Sequence, residues 1–121
     1  MKAANSILCI GRHRRNQELL SQVLIKAGYG VRVALSDEDL IPTIQQCPIS
    51  LVLLDVTGFD AKIWQSYHAL QSRAIPTFVI APPQSSHLQV RYGVIQPFLV
   101  KPLAVHSLLQ LIAHTLRTHH E

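Results

Sequence analysis

No stretch of this chain approaches the roughly 18 to 20 consecutive apolar residues that span a bilayer, and the opening Met1-Lys2-Ala3-Ala4-Asn5-Ser6 lacks the apolar segment of a secretory signal. A membrane partner is therefore not expected, and a soluble, cytoplasmic protein is. Cysteine is scarce: Cys9 and Cys47 are far apart and form no CxxC spacing, which speaks against a disulfide framework or a zinc site. Catalytic signatures are missing as well. There is no GxGxxG, no P-loop, no GxSxG and no Cys–His pair in a stated context, so the chain is not expected to be an independent enzyme or to carry a cofactor. Histidine is plentiful, but His13, His68, His87, His106, His114, His119 and His120 show no HxxxH or HExxH spacing, and no metal site is expected from them.

Charge is sparse and uneven. Charged residues make up only 15% of the chain against 48% hydrophobic, a balance that folds instead of staying disordered. Eleven Lys and Arg against seven Asp and Glu leave a net charge of +4. Part of the excess is knotted at Arg12, Arg14 and Arg15, while the other basic residues are isolated, so nucleic acid is not the expected partner. With 121 residues, one hydrophobic core and one domain are expected.

Apolar periodicity divides the chain into alternating strands and helices. Residues 6–10 form a continuous apolar run ending at Gly11, as a strand buried on both faces does. Over 14–27, Leu20, Val23, Leu24 and Ala27 recur at helical spacing before the stop at Gly28. A strand is predicted at 31–35 and a helix at 36–46. In that helix Pro42 requires either a later start, with Asp39 as cap, or a kink. The strand at 50–55 is the strongest and closes on Asp55. Ile63, Tyr67 and Leu70 share one face of a helix over 61–73, where Trp64 and Tyr67 read as packing residues. Strands at 77–81 and 97–101 flank a short helix within 84–93, and a final helix covers 105–116. This βα alternation implies a parallel sheet with helices on both faces, with chemistry gathered at the carboxyl ends of the strands. Gly11, Arg12, Asp55, Ala81 and Lys101 stand there.

Three segments carry a resemblance. Leu51-Val52-Leu53-Leu54-Asp55, Phe98-Leu99-Val100-Lys101-Pro102, and Glu18-Leu19-Leu20 through Ala27-Gly28-Tyr29 resemble the receiver domains of two-component response regulators, over Ile7 to about Leu116. The resemblance implies a flavodoxin-like five-stranded parallel sheet of order 2-1-3-4-5 in a single receiver-like domain, 1–121, with its core at 6–117 and a mobile tail at 118–121. It also implies Asp55 as the phospho-acceptor position, Lys101 and Thr57 as site partners, and Phe98 as the switch-type aromatic.

The departures from the receiver pattern are chemical. Receivers place an acidic pair after the first strand to hold Mg²⁺, and here those positions are Gly11 and Arg12. They place Thr or Ser after the fourth strand to bind the phosphoryl group, and here that position is Ala81. Asp55, Arg12 and Lys101 together carry a formal +1 where an intact site carries −2, so a divalent cation gains nothing. A like charge at about 4 Å opposes it by on the order of 4 kcal/mol. Arg12 or Lys101 is expected to occupy the space of the metal, and Asp at both 11 and 12 would be expected to bring Mg²⁺ back.

The expected function is thus a pseudo-receiver in phosphorelay signalling, acting by protein contact on a histidine kinase, an output domain or another signalling protein. Two alternatives stay open. One is phosphorylation at Asp55 by an atypical route, with two cations replacing part of the metal's charge. The other is an anion- or nucleotide-binding module built on Arg12, Arg14, Arg15 and Lys101, although an exposed basic loop more often meets only water. Leu103, Val105, Leu108, Leu109, Leu111, Ile112, Ala113 and Leu116 cover more of the last helix than one core face needs. That surplus suggests a partner surface on the last helix, and the resemblance implies a homodimer or partner face formed by helix 4, strand 5 and helix 5.

Overall fold

Strands that read as unbroken apolar runs take the centre of the sheet. In the computed structural model, which describes residues 5–119, β1 (Ser6–Ile10) and β3 (Leu51–Asp55) lie side by side, with β4 (Thr77–Ala81) next to β3. All five residues of β3 and of β4 are buried. The more polar β2 (Gly30–Ala34) and the three-residue β5 (Phe98–Val100) form the edges. The order is β2-β1-β3-β4-β5 and every pair is parallel, the flavodoxin-like arrangement expected from the sequence.

Alternate strand residues face opposite layers. Leu8, Ile10, Val52, Leu54, Val79 and Ala81 pack under α2 (Leu40–Gln46) and α3 (Ile63–Ser72), joined by Leu40, Ile63, Trp64, Tyr67 and Leu70. Ile7, Cys9, Leu51, Leu53, Phe78 and Ile80 pack on the other face against Leu24 of α1 (Arg14–Lys26) and Leu108, Ile112 and Leu116 of α5 (Val105–His119). Helices therefore cover both faces. None of them, among the described residues, is long and apolar enough to cross a membrane.

Several boundaries differ from expectation for local reasons. The segment 36–46 splits into a 3₁₀ turn at Asp37–Asp39 and α2, so of the two alternatives the later start is correct. Asp39 stands at the N-cap position, and Pro42 falls in the first turn, where its missing N–H has no intrahelical partner to lose. The short helix expected within 84–93 is α4 (His87–Arg91), confined to five residues by Pro82 and Pro83 before it and Gly93, at φ +64°, behind it. The expected tail at 118–121 is partly helix: α5 runs to His119, and the Thr118 hydroxyl donates back to the carbonyl of His114 at 3.1 Å. His120 and Glu121 lie outside the described residues. Gly28 ends α1 at φ +101°, a conformation that strains any residue with a Cβ.

Candidate functional site

The ladder delivers a carboxylate and an ammonium to the same end of the sheet. Asp55 closes β3 opposite Ile80 of β4, and the N–H of Val56 extends the pairing by donating to the Ile80 carbonyl at 2.9 Å. On the other side of β4, the N–H of Lys101 donates to the carbonyl of Ala81 at 2.9 Å, which continues β5 by one residue. Only the methyl side chain of Ala81 stands at that end of β4. Lys101 reaches past it, and its Nζ lies 2.7 Å from Asp55 Oδ2.

Thr57 closes the group. Its backbone N–H donates to Asp55 Oδ1 at 3.0 Å, and its hydroxyl accepts from Lys101 Nζ at 3.2 Å. Both carboxylate oxygens are therefore engaged in a formally neutral Asp55–Lys101–Thr57 cluster, with Asp55 only 5% exposed. Ala81, fully buried, adds no hydroxyl.

Of the two cations expected beside Asp55, Lys101 pairs with it and Arg12 turns elsewhere. Arg12 is exposed, and its guanidinium lies over the ring of Phe59, 5.7 Å from the centroid. An exposed Arg keeps its hydration and gains a cation–π contact, whereas facing Asp55 would require burying a second positive charge beside Lys101. The formal +1 expected for the site is corrected accordingly to zero. Arg14 and Arg15 are exposed on the first turn of α1, and that turn holds no acid. Phe98 is half-buried and packs on the α3 side of the sheet.

Gln17 is the member of the site that sequence reasoning missed. It lies in the first turns of α1, is 2% exposed, and its carboxamide leans back over Gly11. The signal was present: Gln17 precedes Leu20 and Leu24 by three and seven residues, so a polar side chain stands on the buried stripe of the helix.

These residues do not fit a divalent cation. Asp55 is engaged by an ammonium, the positions after β1 offer no carboxylate, and no three His, Cys, Asp or Glu cluster for a metal among the described residues. What remains is an ion pair at the switch point of a parallel sheet, where β1 and β3 lie together and their connections diverge.

No protein-family profile and no curated protein sequence matches the chain. Solved structures do match. A CheY-like response regulator receiver domain protein from Methanospirillum hungatei superposes with a TM-score of 0.81 at 19% identity, over 96% of each chain. A response regulator receiver protein from Pseudomonas putida gives 0.82 at 20% identity, over 94% of this chain and 99% of that one. NtrX from Brucella abortus, crystallised with ADP, gives 0.81 at 20% identity, and there the similarity covers 96% of this chain but 27% of that one. The fold shared with these proteins is the receiver fold.

Proposed function

We propose that this chain is a receiver-like signalling domain that acts by binding proteins, without enzymatic activity and without Mg²⁺-dependent phosphoryl transfer at Asp55. The carrying observation is the position after β1, where Gly11 has no side chain and Arg12 lies over Phe59, so that no carboxylate among the described residues joins Asp55. A phospho-acceptor carboxylate must attack phosphorus in line while positive groups take up the charge on the phosphoryl oxygens. Here Gly11 and Arg12 supply no metal ligand and Ala81 supplies no hydroxyl, which leaves Lys101, among the described residues, as the one positive group beside Asp55. The setting that fits such a domain is cytoplasmic phosphorelay signalling, with a histidine kinase, an output domain or another signalling protein as partner.

Exposed apolar side chains support the choice of contact face. Val90 is 87% exposed on α4, Ile95 is 65% exposed before β5, and Val105 is 44% exposed at the start of α5. A groove of about 290 Å³ between β5 and α5 is lined by Phe98, Val100, Leu103 and Leu111.

The test is intact-mass spectrometry after incubation with acetyl phosphate and Mg²⁺. No adduct is expected, and Mg²⁺ is expected to leave the melting temperature unchanged. A phosphate adduct that disappears in Asp55→Asn would overturn the proposal in favour of phosphorylation by an atypical route.

A further inference from the structure

Gly11 has no side chain, yet the volume that one would occupy is filled. A Cβ on Gly11 would stand 2.2 Å from Gln17 Nε2, 2.7 Å from Gln17 Cδ and 3.2 Å from the Cβ of Asp55. The space next to the acceptor carboxylate, on the side where a receiver holds its metal, is taken by the Gln17 carboxamide. Gln17 is 2% exposed, and its Oε1 is buried with no hydrogen-bond partner among the described residues.

A buried acceptor without a donor is costly, and native structures hold few of them. Volume filling alone does not account for it, because Leu or Met on the same stripe would fill the space with no polar atom to desolvate. A local rule broken in the core, immediately beside the site, points to the site as its reason.

We infer that Gln17 is the residue that closes this site to divalent cations: its carboxamide is matched to the glycine at 11 and occupies the room that a metal-binding side chain would need. The inference rests on reading the chain as a receiver-like domain without Mg²⁺ chemistry, and names the side chain that enforces it. It also revises the expectation that Asp at 11 and 12 suffices to bring Mg²⁺ back. An Asp at 11 begins with a Cβ inside the Gln17 carboxamide, so the far end of that side chain has to move aside before the Asp can be seated. An amide carries no charge, so in its present place it offers Mg²⁺ one weak oxygen where octahedral coordination by several is required.

Two experiments on the full chain test this. The first is a thermal-melting cycle of Gly11→Ala, Gln17→Ala and the double variant. Gly11→Ala is expected to lower the melting temperature by about 4 °C or more, and by less than half as much when Gln17 is already Ala. Additive shifts overturn the inference. If Gly11→Ala alone does not fold, the double variant is expected to fold, and its failure overturns the inference equally. The second is calorimetric titration with Mg²⁺ of Gly11→Asp/Arg12→Asp, with and without Gln17→Ala. Binding is expected only when Gln17 is removed; equal binding in both, or none in the triple variant, overturns the inference. The alanine cycle involves neither metal nor phosphate, so a phosphate adduct on the unaltered chain would defeat the proposed function while leaving this coupling to stand or fall alone.

Discussion

Lys101 and Asp55 are unequal partners. Lys101 is 24% exposed in its side chain and Asp55 8%, so the ammonium can turn to water if its partner is lost while the carboxylate cannot. Lys101→Ala is therefore expected to cost about 2 kcal/mol, chiefly from stranding a buried charge. Asp55→Asn should cost clearly less, and Asp55→Asn/Lys101→Met should recover most of the loss. Urea denaturation measures all three, and equal losses for the two single variants would refute the asymmetry. The thiols are unequal in the same way. Burial raises Cys9 from 9.0 to about 12, whereas Cys47 is half-buried near the end of α2. One fast and one protected thiol are expected towards Ellman's reagent, the fast one disappearing in Cys47→Ser. Because the folded-state value of Cys9 lies above the unfolded one, its contribution is fully present below pH 9 and is lost as pH rises towards about 12. Cys9→Ala should accordingly flatten the alkaline fall in stability measured by denaturation across that range.

Elements with a strong local signature were legible in the sequence, and those defined by distant contacts were not. β3, β4 and α1 carry their own apolar period and their own stops, and their bounds fall within a residue or two of expectation. α4 carries five residues and little pattern, so its extent depends on what it packs against. The site divides along the same line. Asp55 and Lys101 could be placed because each ends a recognisable strand, but the choice between Lys101 and Arg12 turned on a ring 47 residues downstream of Arg12, Phe59. The role of Gln17 depended on how α1 leans across the loop that begins at Gly11, and a one-dimensional pattern does not carry that. Tyr67 is a further case: expected only to pack, it also accepts a hydrogen bond through its hydroxyl from the N–H of Ile95 at 2.9 Å, tying α3 to the segment before β5. Tyr67→Phe should leave that N–H without its partner and cost about 1 to 2 kcal/mol. Denaturation provides the number, and faster hydrogen exchange at Ile95 provides the assignment; unchanged exchange would refute the link.

For the molecule as a whole, the decisive question is whether the proposed face of α4, β5 and α5 meets a second copy of the chain. Self-association through this face should appear in light scattering as a mass that rises with concentration and returns to that of one chain in Val105→Asp or Leu111→Asp. Leu108 is unsuitable as a probe: at 3% exposure it belongs to the core, and an Asp there would report unfolding. A mass of one chain at every concentration would refute the homodimer and leave the face to a different protein. The same region contains its own optical probe. Trp64, the one tryptophan of the chain, stacks on Tyr92 with centroids 4.5 Å apart and planes 9° from parallel, and the Arg91 guanidinium lies over the Tyr92 ring at 5.4 Å. The indole is anchored on α3, and the phenol and guanidinium ride at the end of α4, so their overlap measures the spacing of those helices. Emission quenched by that stack would change in intensity and wavelength whenever a docked molecule displaced α4, giving an unlabelled fluorescence titration of the partner on the unaltered chain.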